Sequence, residues 1–170
     1  DSPEIAFFEI NTTQNAESYC QEGEKAYDNA KGATDNKKAF SLFKKAAELG
    51  SPDAQCNLGY MYEIGSGVAK NCYKAVNWYR KAAQQDNARA QYKLGMCYYD
   101  VCGVSKNYVE AVKWILLAAK HGFPKAQLKI GEMFENGIGV QRDFGEALYW
   151  CRKAADKGVD NACTKIGSMY

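Results

Sequence analysis

"LGYMYEIGSGVAKN" runs from Leu58 to Asn71, "LGMCYYDVCGVSKN" from Leu94 to Asn107, and "IGEMFENGIGVQRD" from Ile130 to Asp143. The three stretches restate one another at an offset of 36 residues. Self-similarity at a fixed period of this length marks one supersecondary unit built several times over. Gly59, Gly95, Gly131 and Gly167 align without insertion, as do Ala54, Ala90, Ala126 and Ala162, and Tyr62, Tyr98, Phe134 and Tyr170. In the second half of each unit Ala39, Ala75, Ala111 and Ala147 align, followed by Ala46, Ala82, Ala118 and Ala154. Trp78, Trp114 and Trp150 fall between these two sets, with Leu42 in their place in the first unit.

Two breaks divide each unit. One is a glycine turn, Gly65 and Gly67 before Val68, repeated as Gly137 and Gly139 before Val140, with only Gly103 kept before Val104 in the middle copy. Glycine there permits the positive φ that ends a helix. The other break, "ELGSPD" at Glu48 and its equivalents "QQDNAR", "KHGFPK" and "DKGVDN", places helix-stop and helix-start residues side by side. Between breaks, Ala54, Leu58, Met61 and Tyr62 share one helical face, and Cys72, Ala75, Tyr79, Ala82 and Ala83 share another. Each unit is therefore a helical hairpin, and nine helices are expected. A lone hairpin cannot bury such faces, so the units must stack around a continuous core.

Composition narrows the function. Of 170 residues 46% are hydrophobic, and the longest apolar run, Trp114 to Ala119, is far short of a membrane span. Twenty-two basic and 20 acidic residues interleave to a net charge of +2, leaving no electrostatic footprint for nucleic acid. No partner role in nucleic-acid binding or membrane insertion is expected. The chain opens at Asp1 without a methionine or signal peptide, as a processed or trimmed chain would. The compartment stays open, a secreted or periplasmic setting standing slightly ahead of a cytoplasmic one.

The pattern A-x-x-x-L-G-x-M-Y, then G-x-G-V, then A-x-x-W-Y-x-K-A-A resembles the Sel-1-like repeat (SLR) family, a relative of the tetratricopeptide repeat. The resemblance covers about Ala16 to Tyr170 and implies an all-α fold, a right-handed α-solenoid of helix-turn-helix units. The expected organisation is an extended amino-terminal segment (1–13), a degenerate capping repeat (14–50), full repeats at 51–86, 87–122 and 123–158, and a final helix or cap at 159–170. For function, the resemblance implies a non-catalytic adaptor or scaffold in a signalling, envelope, host-contact or toxin-immunity setting. Its partner would be another protein or peptide.

In tetratricopeptide-like stacks the first helices line the concave face. Positions opposite Leu58 on the wheel give that lining: Cys20, Glu24 and Tyr27; Cys56, Tyr60 and Glu63; Arg89, Tyr92, Met96 and Tyr99; Lys125, Leu128, Glu132 and Glu135. Tyr60, Glu63, Arg89, Tyr92, Met96, Tyr99, Leu128 and Glu132 are the candidate groove, because aromatic and methionine residues at solvent-facing positions mark contact patches. The competing reading is that they pad neighbouring helices. The three tryptophans are assigned to packing. Ile5, Phe7, Phe8 and Ile10 are too apolar to stay free of contact, so the first segment should dock on its own chain or on a second copy. A monomer is otherwise expected. Asn11 to Thr13 spells a glycosylation sequon, meaningful only in a eukaryotic secretory setting.

Seven cysteines do not follow the repeat. Cysteine-rich members of the resembled family bridge positions matching Ala155 and Cys163; three of the four such pairs here are alanine with glutamine and the fourth lacks one partner, so those bridges cannot form. The antiparallel register that such bridges imply would also bring Cys72 beside Cys102, a possible disulfide if their Cα atoms come within about 7 Å. Cys97 takes the core position of Met61. Catalysis has little support: His121 is the only histidine, and neither a nucleophile at a recognisable spacing nor a metal motif is present. No catalytic residue, metal or cofactor is expected. Ser41 to Lys44 spells S-x-x-K, and the resemblance includes relatives that hydrolyse β-lactams, but the accompanying S-D-N and K-T-G are missing. A β-lactam-hydrolysing or carbohydrate-binding SLR protein is the alternative.

Overall fold

The computed structural model describes residues 3–30 and 32–159, with side chains from Ile10 onward except Lys31. The chain divides into two compact units, Asp1–Gln85 and Asp86–Tyr170. The first holds α1 (Pro3–Asp28), α2 (Ala33–Glu48), α3 (Pro52–Ile64) and α4 (Cys72–Ala83). The second holds α5 (Ala88–Asp100), α6 (Tyr108–Lys120), α7 (Pro124–Asn136) and α8 (Phe144–Ala155). Within each unit consecutive helices pack on one another, α1 on α2, α2 on α3 and α3 on α4, then α5 on α6, α6 on α7 and α7 on α8. The described residues contain no strand. The expected ninth helix would fall at 160–170, outside the described residues.

Local chemistry repeats with the sequence. Each second helix after the first opens on a side-chain cap: Asn71 accepts from Lys74 N at 2.9 Å, Asn107 from Glu110 N at 3.0 Å and Asp143 from Glu146 N at 3.0 Å. Such caps satisfy an otherwise orphaned amide at the helix start. The first helices α3, α5 and α7 end on Gly65, Val101 and Gly137 in the left-handed region, whose amides bond back to Met61, Cys97 and Met133. The loop then closes through Asn71 N to Tyr62 O (2.8 Å), Asn107 N to Tyr98 O (3.1 Å) and Asp143 N to Phe134 O (3.0 Å).

Hairpin packing depends on the aligned helix glycines. A Cβ on Gly59 would stand 2.8 Å from the Tyr79 ring, one on Gly95 2.5 Å from Ile115, and one on Gly131 2.8 Å from the Cys151 sulfur. Only glycine lets the paired helices come this close. Phe43, Leu58 and Met61 anchor the core of the first unit, and Ile115, Ile130, Met133 and Trp150 that of the second. Burial of each such side chain is worth about 1.5–3 kcal/mol.

One expectation is corrected at the amino terminus. The segment placed as extended is helical from Pro3, continuous with the first repeat helix. No proline or glycine follows Pro3 until Gly23, and a helix once nucleated adds one hydrogen bond per residue. Gly23 is tolerated because it faces the Phe43 ring, 2.9 Å from where its Cβ would be. Ile10 is exposed, while the side chains of Ile5, Phe7 and Phe8, and with them the expected docking or self-association, lie outside the described residues.

Candidate binding surface

The first unit supplies two groove candidates. Tyr60 on α3 is exposed, whereas Glu63 is half-buried and accepts a short hydrogen bond from the Tyr79 hydroxyl. Glu63 thus ties the first helix of its hairpin to the second. Cys20 and Cys56, read as lining, are buried at 7% and 2% exposure. The wheel argument failed there because α3 packs on both α2 and α4, so its buried arc spans Ala54, Gln55 and Cys56 as well as Leu58 and Met61. A helix with two neighbours buries more than a single stripe.

In the second unit Arg89 is exposed, and Tyr92, Met96, Tyr99, Leu128 and Glu132 are half-buried. Tyr92, Met96 and Tyr99 follow one face of α5 and rest against the core beneath. Tyr92 meets the Phe123 ring at 5.3 Å and Tyr99 meets Tyr108 at 5.2 Å. Lys129 links α5 to α7: its Nζ stands 3.9 Å over the Tyr99 ring and 3.7 Å from the Glu132 carboxylate. Burial raises the Tyr92 pKa above its ordinary value, and the charges of Glu132 and then Asp100 push the same way. Lys129 therefore brings Tyr99 and Glu132 together, and Tyr92 lies in the field of the same Glu132 carboxylate. Lys129 was missed in the sequence because it stands one residue off the wheel positions counted as lining, yet its long side chain reaches across to Tyr99.

The glutamines opposite the missing family disulfides are buried. Gln55 donates its side-chain amide to Ala47 O at 3.2 Å, and Gln127 to Ala119 O at 3.2 Å. A hydrogen bond between successive hairpins thus stands where cysteine-rich relatives would place a covalent bond. Gln55 also accepts from Gln85 at 2.8 Å, and Gln91 Oε1 receives the Nδ1 proton of His121 at 2.9 Å. His121 is exposed but has this structural partner. In the third copy Gln127 Oε1 is buried with no hydrogen-bond partner.

No disulfide joins Cys72 to Cys102, and both are half-buried thiols in different units. Cys72 opens α4 behind its Asn71 cap, while Cys102 is held in the loop after α5 by its amide bond to Cys97 O. Cys97 is buried in the core position expected for it. Among the described residues no group of three or more His, Cys, Asp or Glu side chains could hold a metal. Ser41 and Lys44 are exposed on α2, and Lys44 pairs with Glu48 at 3.9 Å. Nor is any described helix long and apolar enough to cross a membrane.

Helical hairpins recurring at a fixed period, the last three closed by the same cap and turn, define an all-α repeat protein of the solenoid class. A family model described as Sel1 repeat matches residues 23–51, 52–87, 88–123 and 124–159. The chain belongs to the Sel1 repeat family. It is similar to a Sel1 repeat protein from Oxalobacter formigenes, with 39% identity over 89% of this chain and 59% of that one, at a TM-score of 0.83. It is also similar to c5321, a protective antigen of uropathogenic Escherichia coli with an SLR fold: 32% identity over 100% of this chain and 36% of that one, TM-score 0.86. Helicobacter pylori cysteine-rich protein B shares the fold at 23% identity and a TM-score of 0.60, over 74% of this chain and 95% of that one. The chain thus spans 59% and 36% of the first two relatives' lengths. No curated protein matches it. Sel1 repeat proteins are generally protein-interaction scaffolds, and the repeat is typically a non-catalytic fold.

Proposed function

We propose that this chain is a non-catalytic interaction module that binds a protein or peptide on the first-helix face. Tyr92, Met96 and Tyr99 on α5 would form its centre, with Leu128 and Glu132 on α7 beside them. Arg89 would add a peripheral charge, and Tyr60 and Glu63 are the separate candidates of the first unit. One observation supports this above the rest: three large side chains at non-core positions are half-exposed while their inner sides rest on a packed base. Rigid aromatic anchors of this kind contribute much of the energy in protein contacts.

Affinity capture from cells of the source organism tests the reading, comparing wild type with Met96→Lys. Lysine keeps a flexible apolar stem against the core while placing a charge in the patch. A captured protein that is lost with Met96→Lys, at a melting temperature within a few degrees of wild type, supports the proposal. Capture unaffected by the variant overturns this placement of the surface. Half-exposed tyrosine rings also suit a carbohydrate, and binding to a soluble glycan lost on Tyr92→Phe, with no protein partner affected, would favour that reading.

A further inference from the structure

A pocket of about 540 Å³ opens in the first unit between Tyr62 of α3 and one face of α4. Its walls carry Lys74, Asn77, Trp78, Arg80 and Lys81, and no carboxylate. Lys74 lies 5.5 Å over the Tyr62 ring and Lys81 4.4 Å over the Trp78 ring. Neither ammonium has a carboxylate partner, and the Trp78 indole N–H makes no hydrogen bond, among the described residues. Arg80 is steadied by a 3.3 Å bond to Asn77.

The other copies of this helix show what is missing. In α8 the equivalent tryptophan, Trp150, donates its indole N–H to Glu146 at 3.0 Å, and Glu146 stands at the position that Lys74 occupies in α4. In α6 that position is Glu110, which pairs with Lys113 at 3.4 Å. Both later copies carry a carboxylate four residues before the tryptophan, and in α8 it accepts the indole proton. The α4 copy replaces it with a third cation, leaving an indole donor and two ammonium groups around an open apolar floor.

We propose that this pocket binds an acidic segment of a partner protein, a glutamate or aspartate side chain taking the place that Glu146 fills in α8. The incoming carboxylate accepts from the Trp78 indole and is neutralised by Lys74 and Lys81, while the segment's apolar stems lie on Tyr62 and Trp78. Charge-assisted bonds of this type are stronger than neutral ones, and the aromatic walls limit their exposure to water. This site is built from α3 and α4 alone and shares no residue with Tyr92, Met96 and Tyr99, so it does not rest on the groove reading.

The test uses the full chain and fluorescence anisotropy with a labelled, end-blocked octapeptide of alternating glutamate and glycine, against the same peptide with glutamine. The glutamate peptide should bind about tenfold more tightly. Lys74→Glu, which rebuilds the α8 arrangement, should weaken it by about tenfold, and Lys81→Glu likewise. Trp78→Phe keeps the ring, removes the donor and should weaken it several-fold, whereas Met96→Lys should leave it unchanged. Both lysines are exposed, so the charge variants fold as the parent does, which circular dichroism verifies. Equal affinity for the two peptides, indifference to Lys74→Glu and Lys81→Glu, or displacement by millimolar inorganic phosphate as readily as by unlabelled peptide would each overturn the proposal.

Discussion

The turn from Gly65 to Asn71 in the first unit and the turn from Val101 to Asn107 in the second open on the same left-handed backbone with different residues, glycine in one and valine in the other. Gly65 has φ 78° and Val101 φ 63°, each bonding back four residues to close the preceding helix. A β-branched residue in the left-handed region is strained, a cost on the order of 1–3 kcal/mol. The strain persists because the surroundings over-determine the loop: the cap at Asn107, its amide bond to Tyr98 O and the Cys102 amide bond to Cys97 O all hold it. Asp86, with φ 60° where Gly50 and Gly122 stand in other copies, repeats the lesson. Glycine eases this backbone without being what imposes it.

The sharpest way to break that comparison is at the second turn glycine, where space rather than φ is limiting. A Cβ on Gly67 would stand 2.3 Å from Asn36 O, and one on Gly139 2.3 Å from Tyr108 O, because each turn rests on a helix of the preceding hairpin. Gly67→Ala and Gly139→Ala should each cost about 3 kcal/mol, from steric displacement and strain together. Gly65→Ala and Gly137→Ala, with looser contacts of 3.2 and 3.4 Å, should cost only about 1 kcal/mol. Urea denaturation of the four variants checks the order, and equal losses would mean that φ alone governs both positions.

Next in size is the helix contact. Gly95→Ala places a Cβ 2.5 Å from Ile115 Cγ1 and should cost about 2 kcal/mol. Pairing it with Ile115→Ala should recover about 1 kcal/mol relative to the sum of the single changes, since the colliding atoms are removed. A double-mutant cycle measures this directly, and strict additivity would show that the backbone, not the Ile115 side chain, relieves the clash. Smaller and opposite in sign, Val101→Gly should stabilise the chain by about 1 kcal/mol by releasing the turn strain. A loss would show that Val101 packs in a way its 53% exposure does not reveal.

The period, the hairpins and most of the core were legible because alanine and glycine at fixed offsets report close helix contacts wherever they recur, as Ala54, Ala90 and Ala126 do. The candidate surface was less legible. A wheel sorts residues for a helix with one neighbour, and α3 has two, which is why Cys56 was assigned to the wrong side. Lys129 could not be found from spacing, since its contact with Tyr99 is made by the reach of a flexible stem between helices. Gln55 and Gln127 were visible as members of a periodic row, but that they are buried depends on the Ala47 and Ala119 carbonyls supplied by the preceding hairpin. The pocket at Trp78 was legible only as an exception: lysine at position 74 where the next two copies have glutamate.

The smallest expected effect concerns Tyr92, which separates a padded residue from a solvated one on the same helix face. Burial, with help from Glu132 and Asp100, raises its folded-state pKa above the ordinary phenol value of 10.0. In the unfolded chain the phenol ionises near that value, so the stability linked to it is fully present below pH 10.0 and is lost as pH rises through the folded-state value. Between those points unfolding releases a proton that the native state retains. The difference in unfolding free energy between wild type and Tyr92→Phe should therefore be flat below pH 10.0 and move against the wild type above it. Glu132→Gln should reduce this slope only partly, because burial is the larger cause. If Glu132→Gln removes it altogether, the field of the patch holds the proton rather than the packing of Tyr92 on Phe123. Tyr92 would then belong with the solvated part of the surface, as Tyr60 does.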